Sequence, residues 1–187
     1  MVMDSRRWQR NNLHFDRSGK MQIRDAQAGD AAGIAAIYNY AVTDTLAIWN
    51  ERTVDASDRV AWIAARQAQG YPVLVAVDET GGILGYASFG DWRAFEGFRH
   101  TVEHSVYVRP DCHGKGLGRA LLTALIVRAR EAGKHVMVAG IEAGNEASIR
   151  LHRACGFVQT ALMPQVGTKF GRWLDLAFLQ LMLGEGK

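Results

Sequence analysis

Val106-Tyr-Val-Arg-Pro-Asp-Cys-His-Gly-Lys-Gly-Leu-Gly-Arg-Ala120 decides the reading of this chain. The β-branched and aromatic residues from Thr101 to Val108 predict a strand that ends before Pro110. Gly114, Gly116 and Gly118 then stand at alternate positions. Leu117, Leu121, Leu122, Leu125 and Ile126 follow at helical spacing. A strand thus passes through a Gly-rich turn into an amphipathic helix. Glycine lets a backbone approach a ligand closely and present its N–H groups. The new helix adds unsatisfied first-turn donors and the positive end of its dipole. Together these suit a pyrophosphate. The string G-x-x-x-x-G-K-[ST] of a P-loop is absent, and the spacing here is G-x-G-x-G, not the G-x-G-x-x-G of a dinucleotide fold.

Regular patterning extends outward on both sides. Upstream, Gln22-Ile-Arg24 begins a short strand, and Asp30 can cap a helix carrying Ile34, Ile37, Tyr38 and Ala41. Asp55 or Ser57 starts a second helix with Val60, Ile63 and Ala64, ending at Gly70. Pro72 to Val77 and Ile83 to Gly90 read as a hairpin around Asp78-Glu-Thr-Gly-Gly82. Downstream, His135 to Ile141 is a strand and Asn145 opens a short helix ending at Gly156. Phe157 to Val166 and Arg172 to Leu181 are the last two strands. The expectation is one α/β (α+β) domain over residues 21–183, with helices packed on a largely antiparallel sheet.

The 187 residues suit one domain with a substantial core, and the 48% hydrophobic and 22% charged content is globular. No apolar run approaches the roughly 18–20 residues of a membrane span. Cys112 and Cys155 are too few for a disulfide framework and read as reduced structural thiols of a cytoplasmic protein. The net charge of +3 lies wholly in residues 1–20, which hold five basic and two acidic side chains. The remainder is balanced, with no basic excess to attract nucleic acid. Residues 1–20 lack a secretory signal's apolar core and read as a disordered extension or an upstream start; residues 184–187 read as a tail.

The order strand, Arg-Pro, x-x-His113-Gly-Lys-Gly-Leu-Gly118, helix, strand, Asn145-x-x-Ser148 and Leu-His152-x-x-x-Gly-Phe157 resembles the GCN5-related N-acetyltransferases. His113 stands where their signature has Gln or Arg. Trp49-Asn-Glu51, Gly90-Asp-Trp-Arg-Ala-Phe-Glu-Gly-Phe-Arg99, Thr101-Val-Glu-His-Ser105 and Gly167-Thr-Lys-Phe-Gly-Arg-Trp-Leu-Asp175 are similar to the phosphinothricin/methionine sulfoximine acetyltransferase subfamily. The resemblance implies a mixed, mostly antiparallel sheet of about seven strands with about four helices. It also implies acetyl-CoA as co-substrate, a small amino-acid substrate acetylated on its α-amino group, and a homodimer. Its cofactor residues fall on Val106, Tyr107, Val108, His113, Gly114, Lys115, Gly116, Leu117, Gly118, Arg119, Asn145 and Ser148. A protein N-terminal or polyamine acetyltransferase and an acetyl-CoA-binding regulatory module are the rival readings.

The reaction needs a base, because an amine is mostly protonated at neutral pH. Strand alternation places Thr101, Glu103, Ser105 and Tyr107 on one polar face, and the subfamily's catalytic Glu matches Glu103. His152 is the second chemical candidate, as acid for the thiol or as a structural hydrogen-bonded histidine. Arg93, Ala94 and Phe95 match the substrate loop, with Arg93 suited to a carboxylate. Trp49, Glu51, Phe98, Lys169 and Phe170 are further pocket candidates, the last two on a C-terminal hairpin that can reach a neighbouring subunit. His100-Thr-Val-Glu-His104 mimics a zinc-protease motif, but on a strand the two histidines stand roughly 13 Å apart, at about 3.3 Å per residue. No metal site is expected.

Overall fold

The computed structural model describes residues 21–184. The expected N-terminal extension and residues 185–187 lie outside the described residues. The elements run β1 (Met21–Asp25), α1 (Ala31–Asp44), α2 (Ala56–Ala68), β2 (Val73–Asp78), β3 (Ile83–Asp91) and β4 (Thr101–Val108). They continue as α3 (Leu117–Glu131), β5 (Val136–Glu142), α4 (Glu146–Ala154), β6 (Val158–Lys169) and β7 (Arg172–Met182). The seven strands form one sheet in the order β1-β2-β3-β4-β5-β7-β6. All neighbours are antiparallel except β4 and β5.

β2 shows why the sheet is central. Val73, Val75 and Val77 face a cluster with Ile34, Ile37 and Ile63 of α1 and α2, whereas Leu74 and Ala76 face α3. A strand buried on both faces needs the continuous apolar run that residues 73–77 supply. Leu121, Leu122 and Leu125 of α3 are fully buried against the second face with Phe89, Val102 and Met137.

Two local expectations change. Asp30 stands before α1, but its carboxylate makes no cap bond to that helix. It instead takes both nitrogens of Arg24 at 2.7 and 2.8 Å, and the Gln27 N–H at 2.7 Å. The Arg24 hydrogen bonds, more than the opposing desolvation, hold Asp30 below the usual carboxylate range. β6 also runs three residues beyond its expected end. Register shifts at 159/161 and 163/167 bend it, and Gln165, at φ 51°, donates its N–H to Asp175.

The α1–β3 contact is tight. A Cβ on Gly33 would lie 2.4 Å from Ile83 Cγ1. Helix propensity alone favours Ala over Gly by about 1 kcal/mol, yet overpacking of this kind costs about 1–3 kcal/mol. Gly33→Ala should therefore lower stability in a denaturant titration, the opposite sign from propensity.

Candidate active site

The site begins where a ladder stops. β4 and β5 pair at only three positions, Thr101↔Val136, Val102↔Met137 and Glu103↔Val138. Beyond Glu103, β4 stays paired to β3 and β5 to β7. Their facing edges separate, and a trough of about 530 Å³ opens between them. That is within the roughly 300–1,000 Å³ usual for ligand sites.

The Gly-rich turn closes one end of this trough. Gly114 and Gly116 have φ of 74° and 83°, where a side chain would be strained, and open space surrounds both. Gly118 has a different reason: a Cβ there would meet Leu151 of α4 at 3.2 Å. Two glycines thus shape the turn, and the third lets α3 approach α4. The turn is stapled by its own side chains. His113 Nε2 donates to the Val108 carbonyl at 2.9 Å, and Lys115 Nζ to that of Asp111 at 2.9 Å. The first N–H groups of α3 have no intrahelical acceptor and lie at the trough. Val106, Tyr107, Val108, Leu117, Arg119, Asn145 and Ser148 also line it. Lys115 is not among its lining residues. The Asn145 side chain caps α4 by accepting the Ser148 N–H at 3.1 Å. This geometry fits acetyl-CoA: glycine backbone for the pyrophosphate, and open strand edges for the extended arm.

Glu103 occupies the last rung of the ladder. It is partly buried on the α1/α2 face, and its carboxylate leans on Gly140, where a Cβ would meet Oε1 at 3.1 Å. Desolvation raises the Glu103 pKa, and the positive charge of Arg93 opposes that rise. Arg93 itself is exposed, stacked 3.9 Å from the Trp92 ring, and donates to the Trp92 carbonyl at 3.0 Å. Ala94 and Phe95 are exposed on the same loop.

On the opposite face the fork is pinned by a residue that sequence reasoning treated only as part of a false zinc motif. His104 is buried, and its Nδ1 contacts the Val138 carbonyl at 2.9 Å. Its Nε2 meets His152 Nε2 at 2.9 Å, and His152 Nδ1 meets the Ser148 carbonyl at 2.7 Å. Because carbonyls only accept, each Nδ1 must donate. Two neutral rings then supply two protons for three short contacts. Burial, and for His104 the neighbouring ring, resists a third: His104 is pushed down to about 3, and His152 is lowered by desolvation. Phe157 closes the pocket with ring centroids 5.4 Å from His104 and 5.2 Å from His152. Both nitrogens of His152 are thus engaged within the protein.

Trp49 and Lys169 are not brought to Glu103. The Trp49 ring covers Gly167, where a Cβ would lie 2.2 Å from it, and its indole N–H donates to the Leu46 carbonyl at 3.0 Å. Lys169 is 3% exposed, and its ammonium donates to the Ala41 and Ile48 carbonyls. Desolvation lowers its pKa, with Glu51 opposing. A hollow of about 140 Å³ does adjoin Glu103 and shares Ser105 and Tyr107 with the trough. Its outer wall comes from Tyr38 of α1 and from Arg59, Trp62 and Arg66 of α2. The α2 residues were missed because helix reading followed the apolar positions. Their spacing of i, i+3 and i+7 marks one helix face.

A trough that fits a thioester carrier, joined to a hollow holding the Glu103 carboxylate, fits an acyl-CoA-dependent N-acyltransferase. The Acetyltransferase (GNAT) family model matches residues 34–157, and the chain belongs to that family. It is 67% identical over 165 residues to L-amino acid N-acyltransferase MnaT of Escherichia coli strain K12, covering 88% of this chain and 95% of that protein. The L-methionine sulfoximine/L-methionine sulfone acetyltransferase of Salmonella typhimurium is 66% identical over 165 residues, covering 88% and 96%. The structure of yncA from Salmonella typhimurium with its cofactor acetyl-CoA superposes with TM-score 0.86 at 65% identity, covering 89% of this chain and 96% of that one. Acetyl-CoA is the co-substrate of this enzyme.

His152→Ala removes the buried Nδ1 hydrogen bond to the Ser148 carbonyl and should cost about 1–3 kcal/mol per polar group left unsatisfied. A domain of this size melts about 2–4 °C lower for each kcal/mol lost. Calorimetry showing an unchanged melt but abolished turnover would instead give His152 a chemical role.

Proposed function

We propose that this N-acetyltransferase acts on the α-amino group of small amino acids, methionine sulfone, methionine sulfoximine and phosphinothricin among them. The hollow beside Glu103 carries this reading: it is small, and it pairs one carboxylate with guanidinium groups. The names of the two relatives above support the same substrate class. Residues 21–183 form the catalytic unit.

Bound acetyl-CoA supplies the activated acetyl group. The backbone of residues 114–119 holds its pyrophosphate, and Val106, Tyr107, Val108, Asn145 and Ser148 flank the arm. Glu103 takes a proton from the substrate ammonium, which leaves a nucleophilic amine. Its pKa, raised by desolvation, makes it a better proton acceptor than an ordinary carboxylate. Desolvation raises the Tyr107 pKa to about 12, so its hydroxyl stays a donor beside the transfer site. Arg93 tunes Glu103 through its charge and, with Ala94 and Phe95, borders the substrate. Ser148 and His152 hold α4 against the fork.

The chain acts as a homodimer. β6 is the sheet's edge strand, and Val158, Leu162, Met163, Val166, Phe170 and Trp173 stand exposed on its hairpin with β7. An uncovered apolar edge of that kind invites a partner. Lys169 and Trp49 support this hairpin from within. Among the described residues no helix is long and apolar enough to cross a membrane, and two free thiols fit a cytoplasmic setting. Light scattering should return twice the 20.6 kDa chain mass.

Thiol release from acetyl-CoA should be seen with methionine sulfone; activity confined to spermidine or short peptides would refute the substrate class. Glu103→Gln should lower turnover about 10²–10⁴-fold. The base works ionised, so kcat/KM should rise with pH through the Glu103 pKa, above the usual carboxylate value. Removing the Arg93 charge with Arg93→Met takes away the influence that lowers that pKa. The acidic limb should then move to higher pH, and Glu103→Gln should abolish it.

A further inference from the structure

The hollow beside Glu103 contains a cation to which the family resemblance assigns no role. Arg66 lies on α2, and its guanidinium fills the space above Gly90: a Cβ on that glycine would lie 1.6 Å from Nη1. Gly90 pairs with Glu103 across β3 and β4. Directly paired residues send their side chains to the same face, so the guanidinium and the base carboxylate border one space.

The charges around Arg66 are otherwise assigned. Arg59, the other cation of the hollow, is held by Asp58 at 2.8 Å and lies over the rings of Tyr38 and Trp62, at 4.8 and 5.0 Å. Asp91, next to Gly90 on β3, takes the Tyr71 hydroxyl. The Arg66 side chain makes no hydrogen bond or ion pair among the described residues, and its charge opposes the larger, desolvation-driven rise of the Tyr71 pKa. A half-buried cation with no hydrogen-bond or ion-pair partner among the described residues, lining the same hollow as a half-buried carboxylate, is the electrostatic complement of a zwitterion.

We propose that Arg66 binds the α-carboxylate of the substrate and so sets the preference for free amino acids over amines that lack that group. This rests on the reading of the chain as an amino-acid N-acetyltransferase. The ammonium of the substrate faces Glu103, its carboxylate lies in the planar fork of Arg66, and its side chain leaves the small hollow past the loop of residues 92–99. Arg93, stacked on Trp92, tunes the base; Arg66 recognises the acid. Gly90 is the positioning residue, because any side chain there displaces the guanidinium.

The test compares kcat/KM for methionine sulfone with that for its carboxamide. The acid should be strongly preferred by the native enzyme. Arg66→Met should cut that acid-to-amide ratio at least about 30-fold, the lower end of what losing a buried charge partner costs. Gly90→Ala, which leaves Arg66 in the sequence but moves its head group, should lower the ratio in the same direction. Arg66→Lys should restore part of it. Acetyl-CoA affinity by calorimetry reports that each variant is folded. An unchanged ratio in both Arg66→Met and Gly90→Ala, or a larger fall with Arg93→Met, overturns the assignment. If the native enzyme acetylates neither the acid nor the amide, the amino-acid reading itself falls and the proposal with it.

Discussion

The separation of β4 from β5 after three rungs is the constraint on which the rest of the molecule depends. Two parallel strands that stayed paired would leave neither a trough nor exposed edges. The fork is held open from both faces. On one, His104 takes the carbonyl of Val138, the last paired residue of β5 in this ladder, and is backed by His152 and Phe157. On the other, the Glu103 carboxylate rests over Gly140, where a Cβ would press on Oε1 at 3.1 Å. α3 and α4 then pack across the outside, and Gly118 sets how closely they meet. The position of the Glu103 carboxylate and the width of the trough therefore share one geometric origin.

The two ligands are met by different physics. The turn at residues 114–118 works through main-chain donors, whose placement depends on φ angles and not on side-chain identity. The hollow works through side chains, where burial and charge oppose one another. Desolvation makes Glu103 a stronger base but disfavours its ionised form; the Arg93 charge partly restores it.

Much of this was legible in the sequence because it is local. The strand of residues 101–108 was legible from its β-branched and aromatic residues, the hairpin from Asp78-Glu-Thr-Gly-Gly82, and the turn before α3 from its glycines. What stayed hidden depends on pairing across long stretches of chain. Gly90 gains meaning only once β3 is known to pair with Glu103, and Arg66 only once α2 crosses above them. His104 looked like half of a misplaced metal motif, because its true partner is 48 residues away. Asp30 was read as a helix cap, and a neighbouring strand's arginine outcompeted that role with two hydrogen bonds.

A trough made of backbone and a hollow made of side chains also differ in how they can change over generations. Substitutions on the outer face of α2, or in the loop of residues 92–99, touch no rung of the ladder and no donor of the turn. They can alter which amine is accepted without disabling acetyl delivery. The lineage can thus explore new acceptors by small steps, each from an enzyme that still works. The fork, whose last rung carries the Glu103 carboxylate, offers no such freedom: there a change in fit alters both the trough and the hollow.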